Sequence, residues 1–273
     1  MKTFLLACCC LPLLVLAQTE LVQPAVSSPV PALPADAPAS LTSPPFPQVW
    51  RTRTTLPEKE INELFDKGYF ITNLSYERDV WCLVMTKSSN IWQQHLRYRT
   101  EFPQADIKKL WDDGAYITNL TFGSHIWTLV MSRGTGYTQQ AWRTRSHFPE
   151  QEIRELRRQG FYITQLSYEK DQWVLVASKN AGRLFTDQVW RTHPEFPAKE
   201  IKELWDKGYR ITDISYGNGQ WALVMSKGTG LNQQMWNTGD EFPGKKIEEY
   251  WNKGHNIYKL TYENKKWLLI MAN

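Results

Sequence analysis

The chain has 273 residues, 32 basic and 28 acidic side chains, a formal net charge of +4, and many tryptophans and tyrosines (13 and 12). This length is ample to bury a core, either as one large domain or as an array of repeats. Basic and acidic residues nearly balance, and the sequence has no cluster of basic residues of the kind that nucleic-acid-binding proteins carry. We therefore expect no nucleic-acid partner.

The first 17 residues have the layout of a secretory signal peptide. Lys2 precedes an apolar run, and Val15-Leu16-Ala17 stands before Gln18. We therefore expect cleavage after Ala17 and a secreted or periplasmic protein. A lipoprotein box ending at Cys8 is the alternative, with a very short apolar run before it. No later run is long enough to predict a transmembrane segment.

Residues 18–46 are rich in Pro, Ala and Ser and carry almost no charge. They offer too little apolar surface to offset the entropy of the chain, and proline keeps them extended. This composition predicts a disordered linker.

From residue 47 to the end, one sequence unit of about 46 residues occurs five times, which indicates one supersecondary structure repeated in a single repeat domain. The prolines at 57, 103, 149, 197 and 243 are separated by 46, 46, 48 and 46 residues. A glycine recurs eleven places after each proline: Gly68, Gly114, Gly160, Gly208 and Gly254. A tryptophan recurs thirteen places later: Trp81, Trp127, Trp173, Trp221 and Trp267.

Within each unit the pattern predicts a strand, a helix and two more strands. A Gln-x-Trp strand comes first, with Leu96 in place of the tryptophan in the second unit. Proline then suits the first helical position because its missing N–H needs no partner there. In the fourth unit Ile201, Leu204 and Trp205 form one apolar stripe, and Gly208 ends the helix. The strand at 221–225 is apolar on both faces, which is typical of a strand buried between layers.

The two ends of the repeat region predict a closed ring. The last strand of each unit begins with the recurrent tryptophan. We expect this strand to form a hairpin with the Gln-x-Trp strand of the next unit. The strand at 267–271 has no successor and the strand at 48–52 has no predecessor, so pairing them would remove two exposed edges. The prediction is an α/β repeat protein and a monomer: a closed, five-bladed, propeller-like ring of helix plus three-stranded units, with N- and C-terminal strands pairing. An open superhelix is the alternative.

The runs LVMSRGTG (129–136), IKELWDKGYRIT (201–212) and LVMSKGTG (223–230), together with Gln-x-Trp, resemble the repeats at the C-terminal end of plant casein-kinase-I-like proteins, a domain of unknown function. The resemblance extends over residues 48–273. It implies an accessory or interaction module without catalytic residues, and the motifs of the kinase domain itself are absent.

The reactive residue types do not form a recognisable centre. The five histidines fall at different repeat positions without metal-ligand spacing. Cys82 is the one cysteine left after signal cleavage, so no intrachain disulfide can form. The sequence does not say whether its thiol reacts. We therefore expect no metal, no cofactor and no enzyme activity, although carboxylate pairs of the glycosidase type stay open.

Two recurrent features could bind a ligand. One is the basic residue after Gln-x-Trp in four units: Arg51, Arg97, Arg143 and Arg191. In a ring these would make a circle of positive charge; the alternative is that each pairs with an acid on a neighbouring helix. The other is the Gly-Thr-Gly turn with the basic residue beside it, whose N–H groups could hold an anion or simply form a turn. Its residues are Arg133, Thr135, Lys227 and Thr229.

The leading hypothesis is an exported, non-catalytic repeat module that binds a protein or another macromolecular ligand on a rim of the ring. A glycan-binding lectin and a glycosidase-like enzyme are the alternatives.

Overall fold

The computed structural model of the chain describes residues 21–22, 46–87, 90–180 and 185–273. The predicted signal peptide lies outside the described residues, and so does most of the predicted linker. No helix in these described ranges is long and apolar enough to cross a membrane.

The chain forms five units, each with three antiparallel strands and one helix, in the order outer strand, helix, inner strand, middle strand. The outer strands are β2 (Gln48–Arg53), β5 (Gln93–Arg99), β8 (Tyr137–Arg145), β11 (Asp187–His193) and β14 (Gln234–Gly239). The helices are α1 (Glu58–Phe65), α2 (Gln104–Asp112), α3 (Glu150–Arg158), α4 (Ala198–Asp206) and α5 (Gly244–Trp251). The inner strands are β3 (Tyr69–Glu77), β6 (Tyr116–Gly123), β9 (Tyr162–Glu169), β12 (Arg210–Gly217) and β15 (Asn256–Glu263). The middle strands are β4 (Val80–Lys87), β7 (Ile126–Arg133), β10 (Gln172–Asn180), β13 (Gln220–Lys227) and β16 (Lys266–Ala272). A short strand, β1 (Leu21–Val22), pairs with β5.

The predicted helices, their apolar stripe and their terminal glycine are confirmed, but the proline stands just before the first helical residue and not at it. Pro197 immediately precedes α4, and the stripe residues Ile201 and Leu204 are buried. After the last turn Gly208 has a φ of +84°, and its N–H donates to Trp205 O at 2.9 Å. Glycine is favoured there because a side chain is strained in the left-handed conformation.

The predicted hairpins are wrong. Each Gln-x-Trp strand pairs with the middle strand of its own unit, as Trp50 does with Val84, so each unit completes its own sheet. The predicted pairing of the N- and C-terminal strands is wrong for the same reason: β2 pairs with β4, and β16 pairs with β14 and β15. The glycine turns after β7 and β13 lead into the next sheet and do not fold back. All described pairs are antiparallel, and each sheet is open.

The core is shared between consecutive units. One face of every middle strand packs on its own helix and the other face packs on the preceding unit, which confirms the prediction from its two apolar faces. The fifth cluster joins the last unit to the first: Cys82 and Val84 of β4 pack with Leu269 and Met271 of β16. The inner strands contact one another in the order β3, β6, β9, β12, β15, and β15 also contacts β3.

Candidate functional site

The arginines after Gln-x-Trp stay on separate sheets. Each lies on the outer strand of its own unit, and two make ion pairs with a helix acid: Arg51 Nε to Glu60 Oε2 at 3.5 Å and Arg191 Nε to Glu200 Oε1 at 3.1 Å. The ion-pair alternative is confirmed for these two. In Arg97 and Arg143, Nη1 donates to the carbonyl of the preceding residue, at 2.9 and 2.7 Å.

A second set of basic residues, two positions further on, was missed by the sequence reasoning. These side chains contact the acid in the first turn of their own helix: Arg53 with Glu60 at 2.6 Å, Arg99 with Asp106 at 2.9 Å, Arg145 with Glu152, and His193 with Glu200. A sequence signal existed, because base and acid are seven residues apart in four units and both are replaced in the fifth, by Gly239 and Lys246. These pairs fasten the outer strand to the helix.

The Gly-Thr-Gly residues form turns. Thr135 Oγ1 accepts a hydrogen bond from the N–H two residues later at 3.2 Å, and Thr229 Oγ1 does the same at 3.2 Å. The flanking glycines have positive φ angles, between +74° and +87°. Both observations fit the turn interpretation, because hydroxyl–backbone bonds and left-handed glycines are what tight turns require.

The basic residues beside these turns stack on aromatic rings. Lys227 Nζ lies 4.6 Å from the centre of the Tyr209 ring, and the Arg133 guanidinium lies 5.5 Å from that of Trp92, a largely exposed side chain. Such stacking fixes the direction of the cations at the surface.

Side chains from different units meet in a cavity of about 270 Å³ between the inner strands. Units one, two, three and five line it. The charged lining residues are Glu77, Glu169, Lys170, Lys259 and Glu263. Amide and hydroxyl groups come from Asn73, Ser75, Asn119, Thr121, Gln165, Ser167 and Thr261. Aromatic rings at the ends of the inner strands come from Tyr76, Phe122, Tyr168 and Tyr262.

One repeat position at the end of each inner strand determines how neighbouring units meet. It holds, in order, Glu77, Gly123, Glu169, Gly217 and Glu263. Each glutamate hydrogen-bonds to the preceding unit: Glu169 Oε2 accepts the N–H of Phe122 at 3.0 Å, and Glu263 Oε2 accepts that of Tyr216 at 2.8 Å. At the glycines the strands come closer, because a Cβ on Gly123 would lie 2.0 Å from Tyr76 Cβ.

At a second repeat position, the side chain forms hydrogen bonds to the backbone of the preceding unit. Asn73 donates to Leu260 O at 3.1 Å and accepts from Leu260 N–H at 3.2 Å, so it joins the first unit to the last. Asp213 Oδ2 accepts the N–H of Leu166 at 2.7 Å, and its Oδ1 pairs with the ammonium of Lys259.

Burial sets the protonation of the cavity. The carboxyl groups touch the cavity but are surrounded by protein, and this loss of hydration raises the pKa of Glu169 to about 8 and that of Glu263 to about 7. Burial, with the charge of Glu263, also raises the pKa of Glu77 well above its ordinary value. Burial opposes the charge of Lys259, yet the carboxylates of Asp213 and Glu263 raise its pKa. The cavity therefore holds protons on carboxyl groups near neutral pH.

This arrangement can donate and accept hydrogen bonds and stack on flat or apolar groups. Among the described residues no group of three or more His, Cys, Asp or Glu side chains is placed to hold a metal ion. Cys82 is fully buried, and burial with the nearby Glu77 raises the pKa of its thiol to about 12, so the folded protein keeps it protonated. The sequence reasoning did not single out the cavity glutamates, although their alternation with glycine at one repeat position was visible.

Residues 39–126, 58–220 and 213–273 match the model of a family described as a domain of unknown function (DUF7477). The overlapping matches cover all five units, as expected of repeats. The family description does not mention the casein-kinase-I-like proteins, so the resemblance to their repeats is not shown by this match. Neither a curated protein nor a solved structure matches the chain.

Proposed function

We propose that this chain, which belongs to the family of domains of unknown function DUF7477, closes its five units into a propeller-like ring and acts as an exported, non-catalytic module that binds a protein or another macromolecular ligand. One observation carries the proposal. Polar side chains of four units converge on a single cavity, whereas the basic residues of the outer strands and turns stay apart.

Five equivalent contacts support ring closure. The glutamine of each Gln-x-Trp strand accepts, at 2.7 Å, the N–H of an isoleucine on the inner strand of the preceding unit. The pairs are Gln94–Ile71, Gln140–Ile117, Gln188–Ile163, Gln234–Ile211 and Gln48–Ile257. The last pair joins the first outer strand to the last unit, which an open superhelix would leave apart.

The size and lining of the cavity limit the ligand. About 270 Å³ holds one side chain or one sugar residue, so a macromolecule would insert a terminal group and rest on the turns around the opening. Hydrogen-bonding groups beside aromatic rings suit a group with polar edges and an apolar face. A glycan end has this character, and a lectin is therefore the closest alternative within the same proposal.

Two features of the sequence support the biological setting. The first 17 residues have the layout of a secretory signal, and the resemblance to repeats that accompany a kinase favours an accessory, ligand-binding role. N-terminal sequencing of the protein recovered outside the cell should begin at Gln18. A retained leader would contradict export by this signal.

The binding test uses the mature chain on glycan and peptide arrays, followed by two variants. Glu169→Gln keeps an oxygen for the N–H of Phe122 but removes the titratable group from the cavity. Arg143→Ala changes an outer strand instead. We expect the first to weaken binding at least about tenfold and the second to leave it unchanged. The reverse result would assign binding to the outer arginines.

A glycosidase-like activity is a second candidate because of one observation: burial raises the pKa of Glu169 to about 8, so this carboxyl is protonated at neutral pH, as a general acid must be. Hydrolysis of aryl glycosides that disappears in Glu169→Gln, with binding retained, would favour the enzyme. Binding without turnover over a broad glycoside panel would favour the non-catalytic module.

A further inference from the structure

We infer that the junction between the last and the first unit is held by a proton shared between Glu263 and Glu77, so that closure of the ring depends on pH. The inference rests on the proposed ring closure. It adds a regulatory feature to the proposed binding module: the contact between the last and the first unit is stable at low pH and opens more often at high pH.

The hydroxyl of Thr261 lies between the two carboxyl groups and shows where the shared proton is needed. Its Oγ1 lies 2.8 Å from Glu77 Oε1 and 3.2 Å from Glu263 Oε1. A hydroxyl has one hydrogen and can donate it to one of these oxygens at a time. The other contact becomes a full hydrogen bond when the facing carboxyl is protonated and donates to Oγ1. One proton on the pair thus completes both contacts.

Backbone groups hold the two carboxyls in place from the other side. Glu263 Oε2 accepts the N–H of Tyr216 at 2.8 Å, and Glu77 is hydrogen-bonded by the N–H of Tyr262. The oxygens that face Thr261 are therefore fixed by the strands, and neither carboxyl can turn away without losing a bond.

The neighbouring charges do not neutralise the pair. The titratable groups on the packed elements are Glu169 and Lys170 of the third unit, Asp213 of β12, Lys259 of β15, Cys82 of β4, and Arg78 in the turn after β3. Burial raises the pKa of Glu263 to about 7 and outweighs the charge of Lys259, which lowers this pKa but whose ammonium pairs directly with Asp213. Arg78 lies over the ring of Tyr262 at 5.3 Å, and Lys170 over that of Phe122 at 5.2 Å.

The pair occurs at one junction because five is odd. Glutamate and glycine alternate along the units, and an alternation around five positions must bring two like residues together once. The first and last units supply those residues. At the junction of units two and three, Thr121 serves a single carboxyl, that of Glu169. The junctions at Gly123 and Gly217 have no carboxyl group at this repeat position.

The direction of titration agrees with this geometry. Burial and the mutual repulsion of the two charges raise the pKa of Glu77, and burial raises that of Glu263 to about 7. Once the pH exceeds these values both carboxyls are charged. Two like charges in a poorly hydrated junction repel strongly, and the shared hydrogen bond is lost.

Hydrogen exchange of single amides in the mature chain tests the inference. The N–H of Ile257 is held by Gln48 across this junction, and those of Ile71 and Ile163 are held in the same way across the two glycine junctions. After correction for intrinsic rates, raising the pH from about 5.5 to about 8.5 should increase the opening of Ile257 at least about tenfold relative to the other two amides.

Glu77→Gln should abolish this difference, because the amide supplies a permanently neutral partner for Thr261. Glu263→Gln gives the same readout if the first variant does not fold. Equal behaviour of the three amides in the wild type, or a pH response that persists in the variant, would overturn the shared proton alone. An Ile257 amide that is unprotected at both pH values would instead contradict ring closure, and with it the inference.

Discussion

Gly123 and Gly217 lie where inner strands of neighbouring units come closest, and neither has a positive φ that would call for glycine. A Cβ on Gly217 would lie 2.4 Å from Tyr168 Cβ, and one on Gly123 would lie 2.0 Å from Tyr76 Cβ. At the scale of single residues, then, glycine is required here by packing between units. No rotamer change relieves such a contact, because the Cβ atoms of Tyr76 and Tyr168 are attached directly to the backbone.

We predict that Gly123→Ala destabilises the protein by about 2 kcal/mol or more, because the new methyl group forces two inner strands apart. Urea unfolding measures the change. Gly239→Ala is the matched control, since a Cβ there would lie 3.9 Å from its nearest neighbour, Glu241 O. Equal losses in the two variants would contradict the packing explanation.

At the scale of elements, the glutamine of Gln-x-Trp acts as a substitute for strand pairing between units. Each inner strand has a register shift after its isoleucine, as between Ile117 and Asn119. Gln140 then contacts both backbone groups of Ile117, accepting from its N–H at 2.7 Å and donating to its carbonyl at 3.0 Å. The side chain also donates to Ser178 Oγ at 2.9 Å, so one residue connects two sheets.

Gln140→Leu should therefore leave two backbone groups of β6 without partners, at a cost of about 2–4 kcal/mol in the free energy of unfolding. Faster hydrogen exchange at the amide of Ile117, with Ile163 unchanged, would report the local loss. Gln139→Leu alters the exposed neighbour and should have little effect. If Ile117 stays protected in Gln140→Leu, the glutamine is not what links the units.

At the scale of the whole molecule, the fifth core cluster and the Gln48–Ile257 contact bring the first and last units together. The carbonyl of Phe46 also accepts a hydrogen bond from Asn256 Nδ2 at 3.0 Å, and Asn256 pairs with Ala272. The start of the repeats and the end of the chain therefore lie in the same region.

A circular permutant should fold. Joining residue 273 to residue 46 by a short linker, with new ends between Gly228 and Thr229, preserves every described core cluster. We expect cooperative thermal unfolding with a Tm within about 5–10 °C of the parent. An unfolded permutant would contradict the ring, provided that a flexible insertion at the same turn is tolerated by the parent chain.

Stability should fall as the pH rises from about 4.5 to about 8. The pKa values of Glu263 and Glu169 are raised in the folded state, to about 7 and about 8, so the folded protein binds more protons than the unfolded chain in this window. Their contribution is complete below the unfolded pKa and is lost as the pH passes the folded values. The expected loss is on the order of a few kcal/mol.

Urea unfolding at several pH values checks this prediction, and Glu169→Gln should flatten the curve. A stability that rises with pH over the same window would contradict the raised pKa values. The acids with lowered pKa values, such as Asp187, act in a separate range because their contribution disappears only in acid.

Much of the architecture was determined by the sequence alone. The prolines, the apolar stripes and the terminal glycines predicted five helices, and the alternating runs predicted three strands in each unit, because these signals act between residues a few positions apart. The buried tryptophans of the middle strands were also predictable, since they recur in every unit. Export, the ligand and the oligomeric state stay predictions.

Tertiary structure decided which strands pair and which side chains meet. Periodicity does not tell whether the turn after a middle strand folds back or leads into the next sheet, so the hairpins and the terminal pairing were predicted wrongly. The cavity glutamates are separated by more than ninety residues along the chain, and nothing local brings them together. Only the packing of inner strands from different units makes Glu77 and Glu263 neighbours and changes their acidity.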